Sequence, residues 1–253
     1  MKLQDLTSYL DKLLQLKNFP KDYSNNGLQV EGGQEVKRAV FAVDASRQLF
    51  EEAAERRADF IFVHHGISWG DQPRRFAGLD GDRLRILFQN DISLYAAHLP
   101  LDAHPEIGNN AVLKNILGLN EAVPCCEYAS VEIGFCGMLP RKLSAAAIAG
   151  IYEDALACKA MLFDFCGAEV EKVTIVSGGG GRDALQAAQE TRSGLLITGE
   201  MEHTMYHTAR ELGISVLALG HYASETTGPR AVMQKAAAEF PLECEFIDLP
   251  TGL

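Results

Sequence analysis

Six cysteines (Cys125, Cys126, Cys136, Cys158, Cys166 and Cys244) are scattered through the 253 residues without a single C-x-x-C pair. That spacing excludes a disulfide scaffold and a thiolate zinc clamp, and suits reduced thiols in a cytoplasm. Basic residues are scarce: 23 Lys and Arg face 34 Asp and Glu, for a formal net charge of −11. A nucleic-acid binder would show a basic stripe, so that class is not expected. A small anionic substrate stays compatible, because a metal ion reverses the local field. No apolar run approaches the roughly 20 residues that cross a bilayer, so no membrane partner is expected. The opening stretch MKLQDLTSYLDKLLQL lacks the unbroken apolar core and cleavage site of a signal peptide. Its Leu3, Leu6, Leu10, Leu13 and Leu14 recur at helical spacing and predict an amphipathic helix.

What is present is an alternation of strand-like and helix-like segments. Residues 38–43 (RAVFAV), 60–63 and 92–97 (ISLYAA) read as strands, with helices at 47–57 and 80–90 between them. The order returns at 172–176, 182–192, 195–198, 203–212 and 215–219. Between the two series, 131–139 reads as a strand, 144–156 as a helix and 160–165 as a strand. A helix at 228–240, with Pro229 in its first turn, and a strand at 245–249 follow. The fold class is therefore α/β with an internal pseudo-repeat, roughly 37–102 against 171–225. The expected lobes are 1–126 and 127–253, with the C-terminal segment free to pack back on the first.

The ends of the two series match. The first closes with His98-x-x-x-Asp102, the second with His221-x-x-x-Glu225. Residues 60–69 (FIFVHHGISW) end an apolar run on His64 and His65, and Glu200 follows another strand. Active groups of α/β sheets gather beyond the carboxyl ends of strands. Imidazoles with carboxylates and no thiolate suit divalent iron, manganese, zinc or nickel. Five side chains, His64, His65, Asp102, His221 and Glu225, fill most of two coordination shells and leave positions for water or substrate. Each residue also has a plain reading: a lone histidine is more often a hydrogen-bonded core residue, and an i, i+4 pair is often a surface ion pair. Several of them at strand ends of one chain favour the metal reading. His98 and Glu200 are candidates for proton transfer, and His98 stands equally well as a supporting residue of the ligands.

Residues 177–181 (SGGGG) follow a strand and open a helix. They read either as a phosphate cradle or as a tight turn, without the Lys-Ser/Thr of a nucleotide loop. Asn25-Asn26-Gly27 reads as a turn first and a pocket loop second, an asparagine in Gly108-Asn109-Asn110 as a helix cap, and Trp69 as a packing residue rather than a stacking platform.

Taken together, SNNGLQV, FVHHGISW, HLPLDAHPEIGNN, SGGGG, ITGEMEH and GHYASE resemble the NIF-three-like family of dinuclear-metal hexamers, also catalogued as GTP cyclohydrolase I type 2 homologues. The resemblance spans nearly the whole chain. It implies two intertwined α/β lobes, a two-metal centre between them and a toroidal homohexamer. It places the ligands on His64, His65, Asp102, His221 and Glu225, with His98 inside the motif. Three functions follow as expectations: a hydrolase opening a nucleotide ring through metal-activated hydroxide, a two-metal phosphoesterase, or a non-enzymatic metal-binding scaffold.

Overall fold

Runs rich in β-branched and aromatic residues, with hardly a polar member, suit strands covered on both faces. The computed structural model describes all 253 residues, Met1–Leu253, and places these runs at the centres of two sheets. In chain order the first elements are helix α1 (Leu3–Leu13), strands β1 (Gly27–Val30) and β2 (Arg38–Asp44), helix α2 (Arg47–Glu55), strand β3 (Phe60–His65), helix α3 (Leu79–Gln89), strand β4 (Ser93–Ala96) and the short helix α4 (Leu99–Asp102). There follow α5 (Asn109–Leu117), β5 (Asn120–Tyr128), β6 (Val131–Leu143), α6 (Ala145–Leu156), β7 (Met161–Phe163), β8 (Val170–Val176), α7 (Gly181–Glu190), β9 (Leu195–Thr198), α8 (Tyr206–Leu212), β10 (Ser215–Ala218) and α9 (His221–Glu225). Helix α10 (Thr227–Glu239) and strand β11 (Glu243–Phe246) complete the chain.

Two compact units result: Met1–Leu101 with Gly228–Leu249, and Asp102–Thr227 with Pro250–Leu253. In the first, five strands lie in the order β1-β4-β3-β2-β11, all parallel except β1. Period-2 alternation sends Val40, Ala42, Ile61, Val63, Leu94 and Ala96 into one core with Leu49, Phe50 and Ala53 of α2 and Leu87 of α3. The rings of Phe41, Phe62 and Tyr95 form a row across β2, β3 and β4, at centroid separations of 5.6 and 5.7 Å. Tyr95 donates its hydroxyl to Asp11 of α1 at 2.8 Å, so the phenol keeps a partner where its ring is buried. Ser46, in extended backbone, caps α2 by accepting from the Leu49 N–H at 3.1 Å. Ser46→Ala is expected to lower stability by about 1 kcal/mol in urea denaturation, the usual worth of such a cap.

The second unit holds six strands in the order β5-β6-β8-β9-β10-β7, of which β8, β9 and β10 are parallel. One face packs Val173, Ile175, Leu195, Ile197 and Leu217 against Leu113, Ile148 and Tyr152 of α5 and α6. The other packs Val176, Leu196 and Val216 against Ala184, Leu185, Ala188 and Ala209 of α7 and α8. The pseudo-repeat appears as topology. In each unit three adjacent parallel strands alternate with two helices, and an antiparallel edge strand lies beside the last of them: β1 beside β4, and β7 beside β10.

Several sequence expectations need correction. Residues 120–130, read as a boundary, form β5 and its turn. A cut at 126/127 would part β5 from β6, with which it pairs from Asn120↔Met138 to Tyr128↔Val131. The compact units instead change at Leu101/Asp102 and Thr227/Gly228, because α10 and β11 complete the first sheet. The β5–β6 turn is Ala129-Ser130, with φ of 50° and 70°, left-handed at both positions as a two-residue hairpin needs. The helix expected at 203–212 divides into a 3₁₀ turn at His203–Met205 and α8. The last strand lies at Glu243–Phe246 rather than 245–249. All six cysteines are free thiols. Burial, followed by the charges of Asp183 and Glu190, pushes the Cys126 thiol up to about 12, so it stays an unreactive thiol.

Candidate metal centre

A strand ends where its neighbours stop supplying hydrogen bonds, and side chains at that end project beyond the sheet. β3 ends on His64, which is 0% exposed, and the partly exposed His65. Consecutive strand residues point apart, yet these two rings lie 4.4 Å apart between centroids. His98, two residues past β4, joins them at 5.2 Å from His64 and 5.7 Å from His65. Each of the three offers a ring nitrogen within 4.8 Å of the others, so the first unit gathers three imidazoles at one point. Trp69 closes the group with its ring edge-on to His98 at 5.1 Å, and its Nε1 donates to the Gly66 carbonyl at 2.8 Å. It packs, as expected, but against the histidines.

The other ring nitrogen of each histidine is engaged. His64 Nδ1 lies 2.9 Å from the Ala97 carbonyl, His65 Nδ1 2.8 Å from Asp44 Oδ1, and His98 Nδ1 2.9 Å from Asp22 Oδ1. A carbonyl or carboxylate can only accept, so each Nδ1 carries the proton and each neutral ring keeps its lone pair on Nε2. This is how proteins fix an imidazole for a metal.

The second unit gathers carboxylates. Asp102 is 6% exposed and Glu225 is 4% exposed, and they offer oxygens within 4.8 Å of each other. Two buried carboxylates that close repel unless a cation or a proton lies with them. His221 Nε2 stands 3.3 Å from Glu225 Oε2, and its Nδ1 3.1 Å from Glu200 Oε1. The Glu225 hydrogen bond, against the opposing pull of burial and with help from Glu200, raises His221 to about 9. Without a metal, then, a proton on His221 supplies positive charge beside these carboxylates. Asp102 is held by Asn109 Nδ2 at 2.9 Å and by the Ser177 hydroxyl at 3.3 Å, both onto Oδ1. Both donor sets fit divalent ions: imidazoles with a fixed tautomer in one unit, buried carboxylates with a histidine in the other.

The SGGGG loop resolves between its two readings. A Cβ on Gly178 would overlap Glu225 Oε1, while one on Gly179 would stand 3.0 Å from Glu200 Oε1 and one on Gly181 2.8 Å from Glu202 Oε1. Three of the chain's own carboxylates therefore lie against the glycines, where a phosphate would meet their charge. The N–H groups of Ser177 and Gly178 are engaged by Asn110 Oδ1 at 2.6 Å and Ser224 Oγ at 2.9 Å. The glycines serve close approach of these carboxylates.

Other supporting residues escaped the sequence reading. Asn109 and Asn110 are not caps: Gly108 occupies that position, and both asparagines are buried, holding Asp102 and Ser177. Asp22 and Asp44 carry no motif, and only their contacts identify them, while Asn26 lies in the SNNGLQV motif and holds Asp22 and the His98 N–H. Gly66 leaves space for a neighbouring side chain. A Cβ there would overlap the Gln29 amide, whose Oε1 accepts from the N–H groups of Ile67 at 2.8 Å and Ser68 at 3.1 Å.

The chain is 42% identical over 254 residues to a protein of Pyrococcus abyssi named "GTP cyclohydrolase 1 type 2 homolog", with both chains covered completely. An Archaeoglobus fulgidus protein of the same name is 43% identical over 253 residues, again with complete coverage of both. Among solved structures, the protein TTHA1606 of Thermus thermophilus superposes with a TM-score of 0.90 at 38% identity, covering 100% of each chain. The pattern of the family described as Duf34/NIF3 (NGG1p interacting factor 3) matches residues 1–251. The chain belongs to the Duf34/NIF3 family.

Proposed function

We propose that this protein is a dinuclear metal-dependent hydrolase that opens the ring of a purine nucleotide such as GTP. In this reading His64, His65, Asp102, His221 and Glu225 hold two divalent ions of the iron, manganese, zinc or nickel group. The ions, when bound, supply Lewis-acid polarisation and a water acidified toward neutral pH. The observation that carries the reading is the engagement of Nδ1 in His64, His65 and His98, which sets each of their Nε2 atoms for coordination or proton transfer. His98 would take up and return a proton at Nε2, and Glu200 would hold His221 through Nδ1. Trp69, packed on His98, would limit the motion of that ring and its access to water. Ring opening adds water across a C8–N bond, and a second water releases C8 as formate. The name printed for the relatives favours this over phosphoester hydrolysis by the same ligands. A cytoplasmic homohexamer is part of the proposal.

The test is a product screen. The purified protein is loaded separately with iron, manganese and zinc and incubated with GTP and a panel of nucleotides. Formate release with at least one metal is the expected result. Phosphate release without formate would replace ring opening by phosphoester hydrolysis. Release of neither product would remove the hydrolase reading and leave a metal-binding scaffold. Metal content read by anomalous scattering is expected at two ions per chain, and one fully occupied ion would end the dinuclear reading.

A further inference from the structure

Asp22 lies in the loop before β1, outside every motif considered above. Its side chain is 1% exposed, and both oxygens are fully engaged. Oδ1 faces His98 Nδ1 at 2.9 Å and accepts from the Ser24 N–H at 3.0 Å. Oδ2 accepts from Asn26 Nδ2 at 2.8 Å and from the Leu99 N–H at 2.9 Å. Asn26 in turn accepts the His98 N–H on Oδ1 at 2.8 Å. Asp22 and Asn26 together therefore hold the His98 ring, the His98 amide and the first amide of α4.

Four donors converge on two oxygens. Only an ionised carboxylate accepts from all four, because a protonated carboxyl or an amide would set a hydrogen against a hydrogen. Burial would raise the Asp22 carboxyl. The hydrogen bonds from His98, Asn26 and Ser24 outweigh it and hold the group below its ordinary value. The three clustered histidines differ in this respect. His64 leans on a backbone carbonyl, and His65 on Asp44, whose side chain is 40% exposed. At Nδ1, His98 meets a buried carboxylate, and a buried charge acts with little screening from solvent.

We infer that Asp22 is a positioning residue: its four-donor carboxylate locks His98 in the Nδ1–H tautomer, with Nε2 toward His64 and His65. The role of His98 in proton transfer rests on the function proposed above, whereas the tautomer does not. Asp22→Asn would turn an amide toward His98 Nδ1 or toward the backbone donors, and either choice breaks the lock.

The test reads the ring itself. Metal-free protein labelled with ¹⁵N-histidine is studied by NMR at alkaline pH, where the rings are neutral, and His98 is assigned from His98→Gln. Wild-type His98 is expected to show a protonated Nδ1 and a bare Nε2. A protonated Nε2 in the wild type overturns the inference without any variant, so a variant that failed to fold would not shelter it. Asp22→Asn is expected to move His98 toward the Nε2–H form, while Asn26→Ala, which also removes local bonds, leaves the tautomer unchanged. A folded Asp22→Asn protein with an unchanged tautomer overturns the inference. If the wild type releases formate, Asp22→Asn should lower turnover by about 10–100-fold, the usual weight of a group that orients an active imidazole. A wild type with the expected tautomer but no turnover would sink the hydrolase reading and leave this one standing.

Discussion

Gly178→Ala is expected to destabilise the protein by about 3 kcal/mol and to displace Glu225. Two independent costs add. Gly178 has φ of +61°, which costs an alanine about 1–2 kcal/mol. Its new methyl would overlap Glu225 Oε1 and stand 3.2 Å from His221 Nε2, and forcing a group into a packed site costs about 1–3 kcal/mol. Glu225 is buried, so it has little room to yield. Urea denaturation measures the first effect, and titration of chelator-treated protein with manganese or zinc measures loss of binding. Gly150→Ala in α6 is the control. A Cβ there meets nothing within 4 Å, so that variant should be neutral or more stable by about 0.5–1 kcal/mol. If Gly178→Ala unfolds at the wild-type urea concentration and binds metal normally, glycine is not needed there for close approach.

The metal-free protein should lose stability as pH rises from 6.5 to 9. His221 is raised from 6.5 to about 9 in the folded chain, chiefly by Glu225. A raised pKa means the folded state holds the proton more tightly, so the stabilisation is complete below pH 6.5 and is lost as pH climbs through 9. The full shift would correspond to roughly 3 kcal/mol. The His221 side chain is 34% exposed, though, and solvent screening reduces this to about 1–2 kcal/mol. Denaturation of chelator-treated protein across this window gives the slope. Divalent-ion affinity should move the opposite way and strengthen with pH, because the ion must displace that proton. A flat stability profile in metal-free protein would show that His221 is not held by the carboxylates as described.

The parts of the fold readable from sequence were those with a period. RAVFAV, FIFV and LLIT are buried on both faces and contain few polar residues, so they announce parallel strands. β5 did not announce itself. Its NEAVPCCEY has a proline, vicinal cysteines and acidic residues at an edge, and it is a strand because β6 pairs with it. β7 lies within the 160–165 strand read from the sequence, but only Met161–Phe163 pair, with β10. At the candidate centre, the residues named from motif spacing are the ones the structure gathers within each unit. Their supports were hidden, because a buried asparagine such as Asn109 and a capping asparagine look alike in sequence. The SGGGG loop shows the same limit. Glycines that admit a phosphate and glycines that admit a carboxylate share one spelling, and only the neighbours of Gly178 distinguish them.

The return of α10 and β11 to the first sheet bears on how the protein is made. Synthesis runs from the N-terminus, and domains fold as units while it proceeds. Residues 102–227 form one contiguous block of the second unit, to which only Pro250–Leu253 are added later. The first unit begins earlier but stays incomplete after that block has emerged, since β2 gains its outer neighbour only when Glu243–Phe246 is complete. Until then the RAVFAV strand is an open, apolar sheet edge, the kind of surface that pairs with other chains. A ribosome that stalls or terminates before residue 243 would therefore release a product whose first sheet keeps an adhesive β2 edge. For this chain the last strand made is the one that closes the oldest sheet.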